Sequence, residues 1–261
     1  MHYQFHALSD TGRVRQNNED AVLHDASLGL ALLADGIGGY NAGEIASGIA
    51  VRTVHAAFGL WRQTRPGKPT VWELRRVLRR CVAQANGAIM EAARSHPGYQ
   101  GMGTTLVLGV FLDRRMLVGH IGDSRCYRLR GGRLRQLTHD HSVLQEELDA
   151  GRIRREDAAD AAFRNLVTRA LGVDAGIRLE LSAHAVEPGD RYLLCSDGLT
   201  DMLDDGAIGR LLAAGLPMDG SAEALVRAAN AAGGRDNVSV VLVQAEGPPR
   251  TPGRIARWLG I

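Results

Sequence analysis

At 261 residues, 45% of them hydrophobic and 23% charged, the chain has enough apolar material for a layered core and the make-up of a soluble globular protein. Its 31 basic residues stand against 29 acidic ones, and a net charge of +2 excludes the basic footprint of a nucleic-acid binder. Three scattered cysteines without a Cys-x-x-Cys pair, an N-terminus unlike a signal peptide, and no apolar run near the ~20 residues of a membrane span point to a cytoplasmic protein with reduced thiols, no zinc site and no membrane partner.

Residues 3–8 read as a first strand, turned by Asp10-Thr11-Gly12 into a dense polar loop that ends in Glu19-Asp20. Strands are expected over 21–24 and 28–34, the second ending at Asp35 where the chain breaks into glycine. Ile45, Ala46, Ile49, Ala50, Thr53 and Ala57 recur at helical spacing over 42–58. Thr70-Val71-Trp72-Glu73 has the form of a capping box, opening a second helix whose buried stripe is Leu74, Val77, Leu78, Cys81, Val82, Ala85 and Ile89. The nearly continuous apolar run 104–112 predicts a strand covered on both faces. After the turn at Asp113-Arg114-Arg115 come a strand over 116–122 and a hairpin pivoting on Gly131-Gly132. From 139 to 170 the β character vanishes into a charged segment of short helices. Strands return at 177–185 and 191–195, helices at 204–214 and 221–232, and a last buried strand at 238–243. Long antiparallel runs with helices in two pairs predict an α+β layered fold, with one domain over 1–245 and a tail over 246–261 that ends in a basic amphipathic stretch.

Asp35 is the only charge in Ala31-Leu32-Leu33-Ala34-Asp35-Gly36-Ile37-Gly38-Gly39, and Gly36 beside it has no side chain to screen its carbonyl. A lone Asp-Gly is an ordinary turn signal, but the pattern returns three times. Ile121-Gly122-Asp123-Ser124, Leu194-Cys195-Ser196-Asp197-Gly198 and Gly234-Arg235-Asp236-Asn237 each set an aspartate at the edge of an apolar run beside small or polar residues. Such edges imply one acidic, oxygen-rich site drawn from distant parts of the chain.

Taken in order, several motifs together resemble the metal-dependent type 2C protein phosphatases, the PPM family of serine/threonine phosphatases, in their bacterial form. They are Arg15 with Asn18-Glu19-Asp20, the Asp35-Gly36 run, Gly103-Thr104-Thr105, Gly122-Asp123-Ser124-Arg125, Thr138 with Asp140-His141-Ser142, Thr168 to Gly172, Ser196-Asp197-Gly198 and Gly234-Arg235-Asp236-Asn237. The resemblance runs from about residue 17 to 243. It implies a four-layer αββα sandwich: two antiparallel sheets flanked by helices. It further implies that Asp35 bridges two Mn²⁺ or Mg²⁺ ions and that the Gly36 carbonyl helps hold one of them. Asp197 and Asp236 would complete the second ion's shell, and Glu19 and Asp20 would act mainly through bound waters. Asp123, with Asp197, fits a third ion, and Arg15 matches the residue that grips the substrate phosphate. Asp35, Asp197, Asp236 and Arg15 are thus the candidate catalytic residues.

The residue types suit that chemistry. Oxygen-only ligands select hard divalent cations, a metal-activated water needs no protein nucleophile, and the planar guanidinium of arginine makes paired hydrogen bonds to phosphate. The implied activity is hydrolysis of phosphoserine and phosphothreonine on protein substrates, opposing a cognate serine/threonine kinase, by a monomer. Many eukaryotic members carry a histidine directly after the Asp-Gly; here that position is Ile37. His139 and His141 stand in a loop where histidine is more often structural than catalytic, and both stay off the catalytic list.

Three other chemistries compete. A cysteine phosphatase needs arginine six positions after its nucleophile, whereas Gly87, Gly132 and Asp201 follow Cys81, Cys126 and Cys195 at that distance. A metal-dependent nuclease or phosphodiesterase is disfavoured by the near-neutral charge. The alternative that keeps the fold is a catalytically silent phosphoprotein-binding or sensor module, whose mark would be loss of the acids. The segment 139–170 resembles the family's flap, and Arg152, Arg154 and Arg155 within it are candidates for contact with protein substrates.

Overall fold

The computed structural model describes residues 1–38, 42–65, 67–154, 157, 161, 163 and 165–247. The tail beyond 247, Gly39 and Arg155 lie outside them.

The strands are β1 (His2–Asp10), β2 (Asp20–Asp25), β3 (Leu30–Ile37), β4 (Gly103–Thr104), β5 (Leu106–Leu112), β6 (Arg115–Ile121), β7 (Arg125–Arg130), β8 (Arg133–Gln136), β9 (Glu180–Ala185), β10 (Arg191–Cys195) and β11 (Val238–Glu246). One sheet runs β1-β11-β10-β7-β8 and the other β2-β3-β5-β6-β9, with β4 pairing on β3. The pairings within both sheets are antiparallel. The helices are α1 (Ala42–Gln63), α2 (Val71–Ser95), α3 (Val143–Asp149), α4 (Asp197–Thr200), α5 (Asp205–Ala213) and α6 (Met218–Ala231).

Strand periodicity builds the layers, because successive side chains leave a strand on opposite faces. On β3, Leu30, Leu32 and Ala34 pack with α1 and α2 residues such as Val54, Phe58, Leu78 and Ile89. The alternating Ala31 and Leu33 turn inward with Val107, Phe111 and Val118 to meet Cys126, Tyr192, Leu194, Val241 and Val243 of the other sheet. Leu193, Cys195, Val240 and Leu242 face outward again, against Ile208, Leu212, Leu225 and Ala229 of α5 and α6. Two sheets with helices outside each are the expected four-layer sandwich. Strands covered on both faces carry apolar residues at consecutive positions, which is why 30–34, 106–110 and 240–243 read as unbroken runs.

The capping box forms as predicted: Thr70 Oγ1 accepts from Glu73 N at 3.2 Å while Glu73 Oε2 accepts from Thr70 N at 3.0 Å. The predicted stripe Leu74, Val77, Leu78, Cys81, Val82, Ala85 and Ile89 is buried throughout. Several boundaries move; β9 begins at Glu180 rather than 177, and β11 runs on to Glu246 beside β1. β3 does not stop at Asp35 but continues to Ile37, because the short β4 supplies partners for Gly36 and Ile37. α1 extends past Gly59 to Gln63, held by Trp61 packing near Phe58 at 5.7 Å between ring centres. α6 begins at Met218 rather than Ser221, since Pro217, already fixed in φ, serves as its N-cap.

Candidate metal centre

The acidic edges of the sequence meet at one end of the sandwich, where β2, β3 and the β6–β7 link approach α4 and the start of β11. Asp35 sits on β3 opposite Asp20 on β2 in the strand register. Its backbone is held from three directions: Asp35 N donates to Thr105 Oγ1 at 3.0 Å, and Asp35 O accepts from Thr105 N at 2.9 Å and Thr104 Oγ1 at 2.8 Å. A strand end pinned this way cannot retreat from a neighbouring charge. Asp20 Oδ2 accepts from Ser196 Oγ at 2.9 Å, tying β2 to the residue before Asp197.

Asn237 staples the remaining pieces together. Its Oδ1 accepts from Glu19 N at 2.8 Å, and its Nδ2 donates to Thr11 O and Asn17 O, each at 2.9 Å. The same residue's backbone N donates to Asp236 Oδ1 at 2.8 Å, leaving Asp236 Oδ2 to accept from Arg15 Nη2 at 2.8 Å. Close backbone approach explains two of the glycines. A Cβ on Gly198 would lie 2.0 Å from Asn237 O, and one on Gly36 would lie 2.4 Å from Gly43 O and 2.6 Å from Glu19 O.

The electrostatics show what these carboxylates lack. Burial, then repulsion from Asp20, Asp197 and Asp123, pushes Asp35 well above the usual carboxylate range. Asp197 is raised likewise by burial and by Asp123, Asp201 and Asp236. Burial lifts Asp20 to about 6, against the hydrogen bond it accepts from Ser196. Asp123 also rises to about 6, by burial and by the charge of Asp140. Glu19 moves up by burial, partly offset by Arg15. Asp35 therefore has acidic neighbours on two other elements, Asp20 on β2 and Asp197 on α4, and both add to its upward shift. A carboxyl crowded by acidic neighbours in a buried position calls for nearby positive charge.

The donor set therefore fits hard divalent ions: it is all oxygen, mutually repelling, and includes Asp20 Oδ1, which is buried with no hydrogen-bond partner. Asp20, Asp35, Asp123, Asp197 and Asp236 are brought into electrostatic reach of one another, with Glu19 beside Asp236. Arg15 reaches the site through Asp236, and that hydrogen bond raises its pKa. Asp201 was missed from the sequence, although its place four residues beyond Asp197 puts it one helical turn away on the same side. Thr105, Ser196 and Asn237 stand in the motifs of the sequence, but their supporting roles were not legible there, because those depend on contacts across the fold.

Other candidate groups stand apart. The three thiols are buried and free, and burial pushes Cys81 up to about 11 and Cys195 to about 12, which suits inert core residues and not nucleophiles. His139 pairs with Asp149 at 2.7 Å and is exposed, whereas His141 is buried. A groove of about 820 Å³ between the β5–β6 turn and the loop before α2, lined in part by Arg62, Lys68, Arg115 and His184, contains none of the acids.

Comparison with known proteins agrees with this geometry. The protein phosphatase 2C family profile matches residues 11–242. The chain is 35% identical over 249 residues to the serine/threonine phosphatase stp of Listeria monocytogenes, covering 94% of this chain and 96% of that one. It is 38% identical over 239 residues to the protein phosphatase PhpP of Streptococcus pneumoniae, covering 90% and 95% respectively. Among solved structures it superposes on the Mycobacterium tuberculosis serine/threonine phosphatase PstP/Ppp with a TM-score of 0.85 and 38% identity, over 95% of this chain and 100% of that one. The PstP catalytic domain in complex with two manganese ions aligns with a TM-score of 0.82 and 38% identity, over 94% and 99%. Among the described residues no helix is long and apolar enough to cross a membrane. Likeness that runs nearly end to end, in fold as well as in sequence, settles the family: the chain belongs to the protein phosphatase 2C family and is a metal-dependent protein serine/threonine phosphatase.

Proposed function

We propose that this phosphatase cleaves phosphoserine and phosphothreonine monoesters on protein substrates with Asp35, Asp197, Asp236 and Arg15 as its catalytic residues. Asp35 would bridge two divalent cations, Mn²⁺ or Mg²⁺, with the Gly36 carbonyl on one and Asp197 and Asp236 on the other. Glu19 and Asp20 would hold coordinated waters in place, and Asp123 with Asp197 would take a third ion. Bound there, the cations supply positive charge at the phosphate and an acidified water.

The protein's own share is positioning. Thr104, Thr105 and Asn237 fix the backbone of the acids so that little reorganisation accompanies binding. Arg15, half-exposed beside Asp236, would hold a phosphate by two charge-assisted hydrogen bonds. The three core thiols supply no nucleophile, and a water activated by the bound cations would require no phosphoenzyme. The domain extends over 1–245, and its partners are phosphorylated proteins and the kinase that modifies them.

The observation that supports this reading is the strand register that sets Asp35 opposite Asp20, with Asp20 tied through Ser196 to the residue next to Asp197. The test is phosphate release from a phosphothreonine peptide with and without Mn²⁺, set against a nucleic-acid diester. Mn²⁺-dependent turnover of the peptide alone, lost in Asp35→Asn, is expected. Tight binding of the peptide without turnover would instead support the sensor module.

A further inference from the structure

Among the described residues, three ligand-type atoms lie within 4.8 Å of one another in His120, His141 and Glu180. This group belongs to neither the acidic centre nor the 820 Å³ groove. Its composition suits a transition metal, but its hydrogen bonds do not. Gly122 N donates to His141 Nδ1 at 3.2 Å, so that nitrogen carries the lone pair and Nε2 carries the proton. Nε2–H is then the donor to Glu180 Oε2, 3.2 Å away. His120 Nε2 is likewise a donor, to His139 O at 2.7 Å. A cation on His141 Nε2 would need the opposite tautomer, which would set Nδ1–H against the Gly122 N–H. Burial, then the stacked His120 ring at 4.6 Å and the charge of Arg169, favour the neutral imidazole and outweigh the opposite pull of Glu180.

What the neutral ring does is hold Gly122. His141 N donates to Gly122 O at 3.0 Å while its Nδ1 accepts from Gly122 N, so one residue satisfies both backbone groups of that glycine. Gly122 has φ +97°, and a Cβ there would meet Thr105 Cγ2 at 2.7 Å, so the turn that presents Asp123 is open only to glycine and needs external support. The same histidine is fastened to the far end of the flap: Thr168 N donates to His141 O at 2.8 Å, and Ser142 bridges to Val167.

We infer that His141, oriented by Glu180, is a positioning residue that clamps the Gly122–Asp123 turn to the base of the flap and so sets the affinity of the ion site that includes Asp123. This rests on the reading of Asp123 as a metal ligand. Supporting groups one shell out from a metal are worth about 10–100-fold in metal affinity, and the effect should fall on the Asp123 site alone.

The experiment counts Mn²⁺ by calorimetry and by electron paramagnetic resonance of free Mn²⁺ in the full chain, for wild type, His141→Phe, His141→Asn and Asp123→Asn. Phenylalanine keeps the stack on His120 but removes the acceptor, whereas asparagine keeps an acceptor near the Nδ1 position. The expected result is that His141→Phe weakens about tenfold or more the Mn²⁺ site that Asp123→Asn removes, leaves the other sites unchanged, and adds nothing to Asp123→Asn in the double variant. His141→Asn should restore most of the loss, and amide exchange at Gly122 should accelerate in the phenylalanine variant and not in the asparagine one. If Asp123→Asn loses an ion but His141→Phe does not, the clamp is wrong while the Asp123 assignment stands. If wild type and Asp123→Asn bind the same number of ions, the Asp123 assignment fails and takes the inference with it. Should His141→Phe fail to fold, Glu180→Ala, at a half-exposed carboxylate, is expected to weaken the same site alone. An unchanged isotherm in Glu180→Ala would overturn the role of Glu180 in orienting the ring.

Discussion

Asp35 is a carboxylate that gains from folding only when something neutralises its surroundings. Asp20 and Asp123 move from the usual 3.8 to about 6, and Asp35 and Asp197 move further, because burial and mutual repulsion both penalise the charge. The consequence for stability follows from proton counting. Between pH 4 and 6 the folded chain holds protons on these groups that the unfolded chain has released, so stability falls as pH rises through that window. In the metal-free protein the melting point of wild type relative to Asp35→Asn should therefore fall from about pH 4 to pH 6, and Mn²⁺ should reverse the trend. Thermal melts of both proteins across pH with and without chelator check this; a metal-free difference that grows in favour of wild type over the same window would contradict it. Arg15 makes a separate prediction. Among the described residues its hydrogen bond is to Asp236 through Nη2, which leaves the rest of the half-exposed guanidinium for a phosphate. Arg15→Ala should cost roughly 10–100-fold in kcat/KM on a phosphothreonine peptide, the worth of about 1.5–3 kcal/mol for a hydrogen bond to a charged group. Steady-state kinetics with Mn²⁺ saturating is the measurement, and unaltered kcat/KM would remove Arg15 from the site.

Elements differ in how openly the sequence declares them. α2 announces itself by its capping box and its stripe, and both form as read. Strands covered on both faces were legible as apolar runs, since Ala31 and Leu33 serve one core while Leu30, Leu32 and Ala34 serve another. The end of β3 was not legible, because the pairing that prolongs it comes from Gly103 and Thr104, 66 or more residues away in the chain. Neither was α4, whose four residues are too few to show a period. The acids could be named from their motifs, but Asp201, Ser196 and Thr105 join them only through contacts that tertiary structure creates. Two substitutions separate framework from site at this scale. Thr70→Ala removes the capping box and should cost about 1 kcal/mol by urea unfolding while leaving Mn²⁺ affinity alone. Gly198→Ala places a methyl group against the Asn237 carbonyl. It should cost about 1–3 kcal/mol and also weaken Mn²⁺ binding, because α4 must move away from Asp236. Equal Mn²⁺ isotherms for Gly198→Ala and wild type would show that this contact does not set the site.

At the scale of the whole molecule, the acids come from both sheets: Asp20 and Asp35 from one, Asp197 and Asp236 from the ends of strands in the other, and Asp123 from the link between them. The apolar layer between the sheets brings the two sets together, and the cost of gathering like charges is borne by that core until cations arrive. Metal binding is thus linked to folding and to proton release. The most direct test is a calorimetric Mn²⁺ titration of the metal-free chain near pH 6.5, repeated in buffers of different ionisation enthalpy. At least two ions should bind with net release of protons, and Asp35→Asn should lose both the bridging site and most of that release. Binding of no ion, or two ions bound as well by Asp35→Asn as by the wild type, would contradict a centre built around Asp35.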